Sequence, residues 1–184
     1  MYDALFSAGW QTIAAFAKDA KQLDAQTGMI SVLHTWGQNL SLHPHIHCIV
    51  PGGGVGKLGN WKNAKSKGKF LFPVKAMSVV FRAKYLEEIH KKLPGKIPQT
   101  HLNELYKKGW RFGVPMVYAK RPFGSPKSVV EYLGRYTHKV AISNHRIKNI
   151  DDKTVTFSYT DYKTGAQIKQ MTLSHGEFIR RFSQ

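Results

Sequence analysis

The stretch His43-Pro44-His45-Ile46-His47-Cys48-Ile49-Val50 runs directly into Pro51-Gly52-Gly53-Gly54, and it limits the fold more than any other segment. His45 to Val50 reads as a strand, and the Pro-Gly run ends it. Met29 to Thr35 reads as the preceding strand. The short segment between them can close a hairpin, and strands joined that way are antiparallel. The remaining pattern mixes helices with hairpin-joined strands. Helices are expected over Ala4–Gln22, from Met77 to about Lys92 before Pro94, over Thr100–Lys108, and from Ser125-Pro126 to about His138, with Ser125 as N-cap and Pro126 at the first helical position. Further strands are expected at Phe70–Pro73 (as an edge strand), Val114–Ala119, Val140–Ser143, Thr154–Tyr159 and Gln167–Leu173, with turns at Asp151-Asp152 and Lys163-Thr164-Gly165. Ser174-His175-Gly176-Glu177 is a capping box that opens a last helix. The expected class is α+β with an antiparallel sheet, as a single domain over residues 1–184.

Charge narrows the function. The chain carries 28 Lys and Arg against 11 Asp and Glu, a formal net charge of +17, with a sequence pI of about 10.0. The basic residues are spread along the chain, which favours a polyanionic partner, nucleic acid before an anionic membrane. Cys48 is the only cysteine, so an intrachain disulfide and a cysteine-rich zinc module are both excluded. There is no basic, apolar leader and no apolar run near the ~20 residues of a membrane helix, so a cytoplasmic protein is expected.

Two constellations carry chemistry. Residues two apart on a strand share a face, so His45 and His47 point the same way and can hold one divalent ion. Gln38, seven residues before His45, can be brought opposite the pair by a hairpin, and its carbonyl oxygen would be a hard third ligand. His34 is the rival for that place. His43, ahead of Pro44, is expected at the hairpin rim. A cupin reading also starts from a glycine and H-x-H, but it then needs a glutamate where Ile49 and Val50 stand. The second constellation is Val130-Glu-Tyr-Leu-Gly-Arg-Tyr-Thr-His-Lys139. Tyr132 and Tyr136 fall four apart on one helix face, with Lys139 close to it. A phenol needs help to act as a nucleophile at neutral pH, and a metal-bound phosphate with a lysine cation would supply it.

These residues resemble the HUH endonuclease superfamily, and most closely the two-tyrosine rolling-circle transposases of bacterial insertion sequences. The similar stretches are L-H-T-W-G-Q-N-L from Leu33, H-P-H-I-H-C-I-V-P-G-G-G from His43, Y-A-K-R-P-F-G from Tyr118 and Y-L-G-R-Y-T-H-K-V-A-I-S-N from Tyr132. The resemblance implies a central antiparallel sheet with flanking helices, like an RNA-recognition fold. It implies His45 and His47 as ligands of Mg²⁺ or Mn²⁺, with Gln38 as the preferred third. It implies Tyr132 and Tyr136 as nucleophiles that cut single-stranded DNA to a 5′-phosphotyrosine and a free 3′-hydroxyl, with Lys139 assisting. Full-length members carry a cysteine-rich zinc module, so the chain is expected to be a truncated catalytic domain. A catalytically inactive nucleic-acid-binding remnant is the alternative, and a homodimer is left open.

Single-stranded DNA is expected to lie on basic and aromatic residues. The loop from Lys57 to Lys69 offers Lys57, Lys62, Lys65, Lys67 and Lys69 with Trp61 among them. Lys120, Arg121 and Phe123 precede the tyrosine helix and can steer the strand toward it.

Overall fold

The structure is a computed structural model that describes residues 2–66, 70–107, 116–137 and 141–183. It is α+β. Among the described residues the elements are helix α1 (Tyr2–Lys18), strands β1 (Ile30–Trp36), β2 (Leu42–Ile49), β3 (Gly53–Val55) and β4 (Trp61–Asn63), helices α2 (Val74–Lys92), α3 (Gln99–Lys107) and α4 (Pro126–Thr137), strands β5 (Ile147–Ile150), β6 (Thr154–Asp161) and β7 (Gln167–Ser174), and helix α5 (His175–Phe182). The strands form three small sheets, ordered β1-β2, β3-β4 and β5-β6-β7. The chain divides into two compact units, Met1–Ser31 with Cys48–Val130 and Val32–His47 with Glu131–Gln184.

The first unit is mainly helical. Its core gathers Ala17, Leu23, Ala25, Phe72 and Met77, with the Phe16 ring 5.5 Å from that of Phe72. Gln11 on α1 donates to the Glu88 carboxylate on α2 at 3.0 Å. The β3-β4 hairpin pairs Gly53 with Asn63, Gly54 with Lys62 and Val55 with Trp61. Gln26 clamps its first strand near the turn by exchanging both backbone hydrogen bonds with Val55, each 2.8 Å. Only glycine fits at Gly54, because a Cβ there would stand 2.5 Å from the Gln26 carbonyl oxygen.

The second unit holds the three-stranded antiparallel sheet. Its inner residue Phe157 is fully buried among Leu40, Ala141, Ile142, Met171 and Leu173, and meets Phe178 of α5 edge to face at 5.9 Å. Ser174 caps α5 as expected, its hydroxyl accepting from the Glu177 N–H at 3.4 Å. The Glu177 carboxylate does not close the capping box. It pairs instead with Arg180 and Arg181, whose hydrogen bonds hold its pKa down to about 2.

Several sequence expectations change. Phe70–Phe72 forms no strand; its apolarity is used to bury Phe72 rather than to pair. Ala141–Ser143 likewise is not a strand, since Ala141 and Ile142 plug the core and pairing begins only at Ile147. Met116–Ala119 is irregular, while Val114, Pro115 and Val140 lie outside the described residues. The basic stretch from Lys57 is no simple loop but carries the second strand of a hairpin. His43 and Pro44 already belong to β2, which starts at Leu42 rather than at His45. No helix among the described residues is long and apolar enough to cross a membrane.

Candidate metal and tyrosine site

The second unit brings three imidazoles together. His34 comes from β1, and His45 and His47 from β2. One potential ligand nitrogen from each lies within 4.8 Å of the others. The ring centroids stand 4.6 Å apart for His34 and His47, 5.5 Å for His34 and His45, and 5.0 Å for His45 and His47. His34 is only 8% exposed and stacks on Trp36 at 5.0 Å, so its ring is fixed by packing. Two residues apart on β1, His34 and Trp36 share a face, as His45 and His47 do on β2.

Hydrogen bonds set the tautomers. The His45 Nδ1 lies 2.7 Å from the His43 carbonyl oxygen, which can only accept, so Nδ1 carries the proton and Nε2 presents its lone pair. Burial pushes the His45 pKa below the usual histidine value; the His43 carbonyl opposes this and the nearby His43 and His34 rings add to it. The neutral form that a ligand must take is therefore favoured. The His47 Nδ1 lies 3.2 Å from the Tyr132 hydroxyl of α4. When that Nδ1 donates to the phenol oxygen, Nε2 of His47 is also left to a metal. Three nitrogen donors in this arrangement fit a divalent transition ion.

Helix α4 starts where the sequence places it. Ser125 accepts the Ser128 N–H at 3.3 Å, and Pro126 opens the first turn. Tyr136 follows Tyr132 by one helical turn on the same helix; Lys139 lies outside the described residues. Gln38 lies exposed in the turn after β1. Its main-chain carbonyl instead accepts from the Arg146 guanidinium, whose Nε also donates to the Ser158 carbonyl at 2.9 Å. Arg146 thus ties the β1-β2 turn to β6, and buried Leu40, at φ 59°, plugs the same turn into the core. Nothing in the local sequence marked Arg146, which acts 108 residues away from Gln38. Arg146→Ala is expected to cost the second unit about 1–3 kcal/mol, the scale of hydrogen bonds to a charged donor. Chemical denaturation followed through the Trp36 region would measure it.

The proposed DNA residues divide. Lys57, Lys120 and Arg121 are exposed, and Lys67 and Lys69 lie outside the described residues. Lys62 is committed to Asp24, reaching its carboxylate at 2.6 Å and its carbonyl at 2.9 Å, and this contact holds the Asp24 carboxyl below the usual range. Lys65 donates to the Ala20 and Lys21 carbonyls at 2.9 and 3.1 Å. Trp61 is half exposed, on β4.

A family model described as "Putative transposase" matches residues 28–184, and the chain belongs to that transposase family. It is 43% identical over 197 residues to "Putative transposase y4qJ" of Sinorhizobium fredii, covering 99% of this chain and 48% of the relative. It is 29% identical over 173 residues to "Transposase for insertion sequence element IS801" of Pseudomonas savastanoi pv. phaseolicola, covering 90% of this chain and 41% of the relative. The chain thus spans less than half the length of these curated relatives. No solved structure matches it.

Proposed function

We propose that this chain is the catalytic part of an HUH-type transposase, which nicks and rejoins single-stranded DNA through a 5′-phosphotyrosine. His34, His45 and His47 would hold the divalent ion, and Tyr132 and Tyr136 would be the nucleophiles. The observation that carries the reading is the 3.2 Å contact between the Tyr132 hydroxyl and the His47 Nδ1. It sets a phenol beside a three-imidazole cluster, in a protein of net charge +17 that belongs to a transposase family.

The ion, when bound, would polarise the scissile phosphate and withdraw charge from it. Three imidazoles suit Mn²⁺ better than Mg²⁺, which prefers oxygen donors. The protein's own residues do the rest. His47 orients the Tyr132 phenol through the Nδ1 contact. The phenol oxygen bonds to phosphorus while the bond from phosphorus to the 3′-oxygen breaks. The phenol gives up its proton, the departing 3′-oxygen takes one up, and the 5′-phosphate remains esterified to tyrosine. One phosphodiester replaces another, so the bond stays available for rejoining to a second 3′-hydroxyl. A second tyrosine one turn along the helix would let two DNA ends be held in succession.

The test is a denaturing gel of the protein incubated with Mn²⁺ and a diverse pool of labelled single-stranded oligonucleotides. A covalent protein–DNA band is the expected result. Binding without any band across the pool would instead indicate a DNA-binding remnant without chemistry.

A further inference from the structure

We infer that the outer face of the β3-β4 hairpin is a stacking platform for an unpaired nucleobase, with Trp61 as its surface. The inference rests on the single-strand reading above but uses a different part of the chain. Trp61 lies against Gly53, where a Cβ would fall 2.8 Å from the indole ring and 2.2 Å from the Lys62 carbonyl oxygen. Glycine at 53 is what lets the ring lie down on the ribbon. The indole N–H donates to the Asn63 Oδ1 at 2.9 Å, so the ring is held at its polar edge and its one donor is satisfied. Even so, 54% of the residue stays open to solvent. Val55, the cross-strand partner of Trp61, is exposed beside it, and Leu58 at the hairpin tip is 94% exposed.

The ribbon beneath is rigid. Gln26 bridges Val55, Thr27 donates to the Gly53 carbonyl at 2.9 Å, and Lys62 is tied to Asp24. A preorganised aromatic surface loses little entropy when a ring settles on it. Fixed apolar surface left in water on a tight turn calls for a partner, and the charge says which. Lys57 is exposed at the turn, the chain as a whole is at +17, and a nucleobase brings a flat π-face with a phosphate alongside. Because Lys62 and Lys65 are spent on internal carbonyls and Asp24, the aromatic surface carries this contact rather than a lysine row. A base already stacked in a duplex offers no free face, so the platform selects for single strands.

The experiment is fluorescence anisotropy of a labelled oligothymidylate and of a duplex, over a series of salt concentrations, with wild type, Trp61→Ala and Trp61→Phe. Trp61→Ala is expected to weaken single-strand binding about tenfold, within the range of base stacking on aromatics, with Trp61→Phe recovering most of it. Duplex binding should not change, and the salt slope should be the same in all three, because stacking releases no counterions. Equal single-strand affinity in Trp61→Ala and wild type would overturn the platform. Should wild type not bind single strands at all, the nicking reading fails with it, whereas a wild-type covalent band beside an unaffected Trp61→Ala sinks the platform alone. A readout independent of any variant's folding is photocrosslinking of wild type to an oligonucleotide bearing 5-iododeoxyuridine. A crosslinked peptide containing Trp61 is expected, and crosslinks confined to other peptides would overturn the assignment.

Discussion

Replacing Tyr132 by phenylalanine is expected to lower the yield of covalent protein–DNA adduct by about a thousandfold or more, the scale seen when a nucleophile is removed from an otherwise intact site. The substitution deletes only the hydroxyl. The ring stays, so its edge-on approach to His47, with centroids 6.4 Å apart, and the packing of α4 should persist. What disappears is the oxygen 3.2 Å from the His47 Nδ1, the atom that would bond to phosphorus. Tyr136→Phe makes the informative comparison, since Tyr136 sits one turn farther along α4. It is expected to leave the first cut largely in place and to reduce joining of a second strand. The measurement is adduct yield against time on a denaturing gel, with far-ultraviolet circular dichroism showing the same helix content in each variant. An adduct that forms at the wild-type rate in Tyr132→Phe, and is lost in Tyr136→Phe, would reverse the order of the two tyrosines. An adduct surviving both substitutions together would remove tyrosine from the chemistry.

The sequence was most legible where pattern and local chemistry agreed. Ser125-Pro126 opens α4 because a hydroxyl acceptor and a fixed φ suit a helix start in any context. The alternation from His45 onward became β2, and the Thr154 and Gln167 segments became paired strands. It was least legible where burial and pairing separate. Phe72, Ala141 and Ile142 are apolar because they fill cores, and a short apolar run alone cannot say whether its backbone also pairs. The β3-β4 hairpin was hidden by its glycines, which read as a strand breaker. Here Gly53 and Gly54 are small because an indole and the Gln26 backbone occupy the places of their Cβ atoms. In the candidate site, the His45 and His47 pair followed from a two-residue period, whereas the third ligand depended on how β1 aligns with β2. Sequence distance does not fix that alignment, so the sequence alone did not show that His34 comes beside the His45 and His47 pair. The packing of His34 on Trp36 and the Arg146 anchor at Gln38 are tertiary facts with no local signature.

The placement of His34 leads to the second large effect. His34→Ala is expected to weaken Mn²⁺ binding by more than about a hundredfold, and His47→Ala likewise. The bound comes from groups that merely orient a ligand, whose loss typically costs about 10–100-fold, so losing a ligand itself should cost more. Gln38→Ala is expected to leave the affinity within a few fold, because three imidazoles already supply the proposed donors and the structural tie at Gln38 is through its backbone carbonyl, which alanine keeps. Isothermal titration with Mn²⁺ on the folded variants gives the affinities directly. A loss in Gln38→Ala equal to that in His34→Ala would restore a hard oxygen donor to the site and point back to Mg²⁺. The two substitutions fall on the same hairpin, four residues apart. If the imidazoles are the ligands, His34→Asn should recover little of the affinity lost in His34→Ala, since an amide oxygen on a shorter side chain cannot take the place of a ring nitrogen held by stacking on Trp36. A site made of three nitrogens should also rank Zn²⁺ above Mn²⁺ and Mn²⁺ above Mg²⁺ in affinity. The ion that supports the covalent adduct then need not be the one bound most tightly, because strand transfer needs an open coordination position and ready exchange of the phosphate, which tight closed coordination opposes.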